Sequence, residues 1–243
     1  MVDLELDDGL AVVTIDRPHA RNAIGPATMD RLDKLLDAVA EAADTAHALV
    51  IRGAGDKAFV SGGDLKELAA IRTEDAAMEM ALRMRGICDR IAAFPGPVIA
   101  ALNGHAFGGG AEFALAADIR VAADDVRIAF NQVSLAIMPA WGGAERLAAL
   151  VGPGRALLLA GTGQVLDAHE AERAGLVDRV LPRAAFEERW RELGHRLAGR
   201  PAREIKRVMR PGCSAREAAR AFARLWVTDE HWTAAERVMA RGR

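Results

Sequence analysis

An α/β domain assembled through crossover connections is the architecture this sequence predicts. Short apolar strand segments alternate with helical periodicity as far as Val180, and no internal repeat or low-complexity linker interrupts the series. The opening stretch LELDDGLAVVTIDRP alternates apolar and polar residues on both sides of Asp8-Gly9, which signals a hairpin. From Thr28 to Asp44 the apolar positions Met29, Leu32, Leu36, Val39 and Ala43 recur at helical spacing, with Thr28 suited to the N-cap. ALVIRG (48–53) and PVIAALNG (97–104) then read as apolar strands, separated by a helical segment from Leu65 to about Ala93. IRVAA (119–123), RIAF (127–130) and VDRV (177–180) extend the series.

From Ala184 onward the pattern is wholly helical. Breaks at Gly199-Arg200-Pro201 and Pro211-Gly212 predict three helices in a C-terminal subdomain. Phe222, Trp226 and Trp232 suit a packed helix, in the core or at a subunit interface. Arg203, Arg207 and Arg210 make one charged stripe, either a solvated helix face or a surface meeting phosphate groups on a ligand or RNA. No aromatic residue interleaves it, which argues against an RNA-binding surface.

Composition excludes several classes. Of 243 residues, 51% are hydrophobic and 27% charged, the balance of a folded chain and not of a disordered one. With 32 Lys+Arg against 34 Asp+Glu the net charge is −2, so nothing pulls the whole chain toward nucleic acid or anionic lipid. The longest uncharged run, Ile91 to Ala111, holds two prolines and five glycines and reads poorly as a membrane span. Met1 to Leu10 carries four acids and no basic n-region, so a secretory signal is not expected and a cytoplasmic location is. Cys88 and Cys213 stand far apart, and the six histidines fall singly, so neither a disulfide framework nor a metal site is expected. Tyrosine is absent, which leaves acid–base work to carboxylates, histidine, lysine or water.

Three segments are candidates for chemistry. Gly53-Ala54-Gly55-Asp56-Lys57-Ala58 matches a loose dinucleotide fingerprint, but no helix opens at its last small residue, so it reads as a plain loop. Ser61-Gly62-Gly63-Asp64 leads into LKELAAI, where Asp64 can cap a helix starting near Leu65 and Glu67 can complete a capping box. The N–H groups at such a terminus, Gly63's included, can hold an anion or a carbonyl oxygen gaining charge. A tight turn alone would account for these glycines equally well. His105-Ala106-Phe107-Gly108-Gly109-Gly110-Ala111-Glu112 follows an apolar strand, and three glycines at a helix start are costly unless the backbone must approach a ligand or take positive φ. Two such turns together suggest an oxyanion hole. Glu112 lies just inside the second helix, where the helix N-terminus favours its ionised form and apolar neighbours such as Phe107 and Phe113 disfavour it. The next polar groups are Asn131, Gln132 and Ser134, and Pro139-Ala140-Trp141-Gly142-Gly143 turns into another helix, with Trp141 able to wall an acyl pocket or simply to fill core.

These residues resemble the crotonase superfamily, the enoyl-CoA hydratase/isomerase family, over essentially the whole chain. DRPHARNAI, AFVSGGDLKEL, NGHAFGGGAEFALAADIRVA, LAIMPAWGGAERLAALVG and AHEAERAGLVDRV match family segments in order. The resemblance implies a ClpP/crotonase-like spiral of ββα and βαβ units over residues 1–183, which carries the CoA-thioester site. It also implies a C-terminal helical trimerisation subdomain over 184–243, a homotrimer or dimer of trimers, and no cofactor beyond the CoA of the substrate.

Carried over by position, the resemblance makes the N–H groups of Gly63 and Gly109 donors to the thioester carbonyl, and Glu112 the first catalytic glutamate. Ser61, Gly62, Asp64, Lys66, Gly108, Ala140 and Trp141 fall at substrate-binding positions: Ser61 and Lys66 beside the CoA adenosine and phosphates, Ala140 at the N–H that holds the attacking water. Gln132 falls where hydratases place a second glutamate, and an amide can orient water but cannot exchange a proton. Hydratase chemistry is the first expectation. GGGAEF and IMPAWGG also resemble the family's malonyl-type decarboxylases, such as ethylmalonyl-CoA decarboxylase, and a double-bond isomerase is a third reading. A different class is a catalytically weak CoA-ester- or RNA-binding protein.

Overall fold

The computed structural model describes residues 1–42 and 45–241. Strands β1 (Val2–Asp7) and β2 (Leu10–Ile15) pair antiparallel across Asp8 and Gly9, whose φ values of 39° and 82° match the twist of a two-residue hairpin turn. Helix α1 (Pro26–Glu41) follows. It starts two residues before the expected Thr28 cap because Pro26 is preorganised for the first helical position, and Thr28 instead lies buried in the first turn. Met29, Leu32, Leu36 and Val39 face the core as their spacing predicts; Ala43 and Asp44 lie outside the described residues.

Three consecutive strand pairs then build the site. β3 (Ala48–Gly53) leads into β4 (Ala58–Val60), β5 (Val98–Leu102) into β6 (His105–Phe107), and β7 (Ile119–Ala123) into β8 (Arg127–Ala129). The first member of each pair joins a sheet of order β1-β2-β3-β5-β7-β10, with β10 (Arg179–Leu181) at its edge. The second member joins a smaller sheet of order β4-β6-β8-β9, with β9 (Leu166–Asp167) antiparallel at its edge. Each unit adds one strand to each sheet, and the chain advances as a spiral. β3 and β5 are buried on both faces, which is why they read as continuous apolar runs.

Helix α2 (Glu74–Ala93) links the first pair to the second, and the short α3 (Gly109–Ala114) links the second to the third. The expected helix from Leu65 begins only at Glu74. Thr73 caps it by accepting the N–H of Ala76, and Glu74 and Asp75 fill its first turn, whereas residues 65–70 form a string of turns. Beyond β8 come α4 (Gly143–Val151), α5 (Pro153–Thr162) and α6 (Ala168–Arg173).

The Gly53-Ala54-Gly55 turn is clasped by two buried asparagines. Asn22 Nδ2 donates to the carbonyls of Ala58 (2.7 Å) and Ala54 (3.0 Å). Asn103 accepts the Gly53 N–H (2.9 Å) and donates to Gly55 O (2.7 Å). A Cβ at Gly53 would stand 2.3 Å from Phe59 O, so that glycine serves a close approach of backbones.

The C-terminal segment forms four α-helices among the described residues, not the expected three: α7 (Phe186–Leu197), α8 (Arg200–Met209), α9 (Ala215–Trp226) and α10 (Asp229–Arg241). The breaks at Gly199 and Pro211-Gly212 stand, with Pro201 in the first turn of α8. The further break at Val227-Thr228 contains neither glycine nor proline; its signal is Thr228, which accepts the His231 N–H, followed by Asp229 and Glu230 in the first turn of the next helix. α7 buries Phe186 and Trp190 in the core. α8 is tied to the start of β7 by Lys206 Nζ, 2.6 Å from Asp118 Oδ2. Arg207 bonds Glu204 and Arg210 bonds the carbonyls of Ala93 and Phe94, so these two members of the arginine stripe are engaged within the chain, as Arg203 also is. No helix among the described residues is long and apolar enough to cross a membrane.

Candidate active site

β4, β6 and β8 are parallel neighbours, so their C-terminal ends open on one side of the small sheet. The segments 61–64, 108–112 and 130–143 leave from those three ends, which brings distant candidates together. The first two press backbone against backbone. A Cβ at Gly62 would stand 3.3 Å from Gly109 N, and one at Gly110 would stand 1.7 Å from Val60 O. Gly62 and Gly108 take φ values of 105° and 53°, which favour glycine. Ile24 straps the first loop, donating to Gly62 O and accepting from the N–H of Asp64. The N–H groups of Gly63 and Gly109 have no acceptor among the described residues, and that of Gly109 opens α3. Two free donors therefore stand on adjoining turns.

The capping box expected at Asp64 is not formed. Asp64 Oδ1 accepts the N–H groups of Lys66 (3.2 Å) and Glu67 (3.4 Å), but the Glu67 carboxylate reaches Arg17 at 2.5 Å instead of returning to the Asp64 N–H. Arg17 also holds Asp64 Oδ2 at 3.1 Å. Burial opposes ionisation of Asp64, yet the two N–H groups and this guanidinium hold its carboxyl below the usual range. Gly63 thus sits in a latched loop and not at a helix terminus. Ser61 lies half-buried, and Lys66 is exposed.

Glu112, only 2% exposed, is the centre of the site. Its Oε2 accepts the N–H groups of Trp141 (2.7 Å) and Gly143 (3.0 Å), and its Oε1 accepts Gln132 Nε2 (2.7 Å) and, at a longer 3.3 Å, the N–H of Ala140. Gly143 opens α4, and a Cβ there would stand 2.3 Å from Glu112 Cγ, so only glycine admits the carboxylate. Burial pushes the Glu112 carboxyl above its ordinary value, against the pull of the three N–H groups and the Gln132 amide.

Gln132 is buried on the 3₁₀ turn after β8. With its amide nitrogen committed to Glu112, its Oε1 lies buried with no hydrogen-bond partner among the described residues. Ser134 bonds back to Asn131 O and stays exposed, outside the cluster. The Trp141 ring lies on Gly109. A Cβ there would stand 2.4–2.9 Å from Cζ3, Cη2 and Cε3 of the indole, and one on Gly63 would stand 3.8 Å from Cζ2. Arg146 fixes the turn by donating to Trp141 O (3.0 Å).

Beside Ser61 and Phe107 opens a cavity of about 510 Å³ whose charged lining includes Arg21, Lys57 and Arg183 against Asp56 and Asp125. Sequence reading missed this cluster, because its members come from four separated segments. It also missed the Trp141 and Gly143 N–H donors, for which the Gly142-Gly143 pair at a helix start was the available signal. Among the described residues no three His, Cys, Asp or Glu side chains gather as a metal-binding group.

A sequence profile of the Enoyl-CoA hydratase/isomerase family matches residues 5–224. The chain is 35% identical over 205 residues to a short-chain-enoyl-CoA hydratase of Clostridium acetobutylicum, covering 84% of this chain and 78% of that protein. It is 41% identical over 180 residues to a crotonyl-CoA hydratase of Syntrophomonas wolfei, covering 73% of this chain and 68% of that one. The crystal structure of an enoyl-CoA hydratase from Bacillus anthracis superposes with a TM-score of 0.89 at 30% identity, over 99% of this chain and 96% of that one. Together with the two-sheet spiral, these matches show that the chain belongs to the enoyl-CoA hydratase/isomerase family of the crotonase superfamily.

Proposed function

We propose that this enzyme adds water across the α,β double bond of 2-enoyl-CoA thioesters. The observation that carries the reading is the buried, unpartnered Gln132 Oε1 beside the Glu112 carboxylate, an acceptor suited to a water molecule next to the proton carrier. A decarboxylation would need no such water.

The N–H groups of Gly63 and Gly109 polarise the thioester carbonyl. A water donates one hydrogen to Gln132 Oε1 and the other to Glu112 Oε1, taking over the Ala140 N–H, whose 3.3 Å contact to the carboxylate is the longest of the four and the easiest to redirect. As the water oxygen bonds to Cβ, its proton passes to Glu112 and the π electrons move onto the thioester oxygen as an enolate. The Gly63 and Gly109 donors stabilise that enolate, a contribution of about 3–4 kcal/mol per donor in comparable sites. Glu112, now a carboxylic acid, returns the proton to Cα. One carboxylate serves as base and then acid, and Gln132 orients without exchanging a proton. Burial, which raises the carboxyl's pKa, suits it to both steps.

The cavity lined by Arg21, Lys57, Ser61 and Arg183 suits the anionic, aromatic end of CoA. The reading calls for no cofactor besides substrate CoA. It includes a homotrimer or dimer of trimers, supported by the exposed Phe222, Trp226 and Trp232 on α9 and α10, and a cytoplasmic setting, supported by two unpaired cysteines. The test is the ultraviolet absorbance of the conjugated enoyl thioester. It falls when crotonyl-CoA meets the enzyme and persists with Glu112→Gln; a persistent absorbance with both would refute the reading.

A further inference from the structure

We infer that the Trp141 indole closes the acyl end of the site and restricts the enzyme to short acyl groups, an inference that rests on the acyl-CoA reading above. Trp141 has two separable contacts. Its backbone N–H holds Glu112 Oε2 at 2.7 Å, while its six-membered ring lies on the α-carbon of Gly109 and reaches toward Gly63, where Leu68 Cδ1 forms the facing wall at 2.9 Å from an added Cβ. Trp141 as a whole is 6% exposed, so its side chain is packed inside the protein.

A thioester whose carbonyl oxygen meets Gly63 and Gly109 must bring its Cβ, two bonds on, to the Oε1 side of Glu112. Oε2 is turned away into the N–H groups of Trp141 and Gly143. Carbons beyond Cβ then run against the indole. A short acyl group stacks on that face, whereas a long one must displace a buried ring packed on Gly109. In a closed apolar pocket one methylene too many costs roughly ten- to two-hundredfold in discrimination.

Because Glu112 is held through the Trp141 backbone, replacing the side chain leaves its donors in place and tests the ring alone. The probes are saturated butyryl-CoA and decanoyl-CoA, whose binding is measured by calorimetry and needs no turnover. Buried methylenes ordinarily add affinity, so a preference for the shorter ester runs against the general trend and is diagnostic. The expected result is that the unmodified enzyme binds butyryl-CoA about tenfold or more tighter than decanoyl-CoA, and that Trp141→Ala lowers this ratio about tenfold or more. Trp141→Leu, which keeps an apolar filling, serves by the same criterion should the alanine variant fail to fold. Equal binding of both esters by the unmodified enzyme, a ratio within about twofold of its value in a folded variant, or no binding of either ester overturns the inference. A short-chain binding preference without turnover of any enoyl ester would instead refute hydration and leave the role of Trp141 standing.

Discussion

Gln132 Nε2 donates to Glu112 Oε1 across 2.7 Å, and both side chains are buried. The amide fixes the carboxylate and leaves its own oxygen buried without a partner, so in the proposed reaction one residue orients both the proton carrier and the water. In this account a single ionisable group does the proton transfers, which leads to distinct expectations for each side chain.

Glu112→Gln keeps the shape of the side chain and removes the proton carrier. Turnover of crotonyl-CoA is expected to fall about a thousandfold or more, the upper part of the range for general acid–base groups. Binding of butyryl-CoA by calorimetry should stay nearly unchanged, and retained turnover would show that the proton moves elsewhere.

The pH profile follows from the raised Glu112 carboxyl. The base must be ionised, so kcat/KM should rise with pH through a midpoint above the ordinary glutamate value of 4.5. The folded chain holds this proton where the unfolded chain has released it, so stability from this group is full below the unfolded pKa and declines as pH rises through the folded one. A midpoint at or below 4.5 would contradict the burial argument.

Gln132→Glu places two carboxyl groups at the 2.7 Å contact, where both cannot ionise cheaply. The acid limb of the variant is expected at higher pH than that of the unmodified enzyme. An unmoved limb would mean that residues 112 and 132 are not in contact in solution.

Gly143→Ala sets a methyl group 2.3 Å from Glu112 Cγ and 2.5 Å from Oε2, so the carboxylate must move. Displacement by an ångström costs about a hundredfold in kcat at comparable sites. Steady-state kinetics with a thermal melt separates this loss from unfolding, and kcat within about threefold of the unmodified value would remove the positional argument.

Asn103→Ala tests the scaffold. It orphans the Gly53 N–H and the Gly55 carbonyl at the β3–β4 turn, with an expected loss of about 1–3 kcal/mol in urea unfolding. An unchanged midpoint would mean that the turn holds without its clasp.

The large sheet was legible because the β5 stretch and the first four residues of β3 are buried apolar runs and β7 is apolar apart from Arg120, and such runs stand out without any knowledge of partners. β4, β6 and β9 were not, since two or three residues show no period and their pairing is decided by the spiral. The start of α2 was misjudged because Asp64 and Glu67 form a capping pattern in sequence, while Arg17, 47 positions before Asp64, takes the glutamate away. Glu112, Gln132, Ala140 and Trp141 could be named one by one from glycine runs and family resemblance. Their joint geometry could not, because backbone N–H donors such as those of Trp141 and Gly143 carry no side-chain signature.

The most direct measurement is mass spectrometry of CoA esters after incubation with the enzyme in heavy water, using crotonyl-CoA, a 3-enoyl-CoA and ethylmalonyl-CoA in parallel. The account predicts that crotonyl-CoA gains one water while ethylmalonyl-CoA is recovered intact. Loss of carbon dioxide from ethylmalonyl-CoA with crotonyl-CoA unchanged would contradict it, as would deuterium exchange into the 3-enoyl ester without any addition of water to crotonyl-CoA.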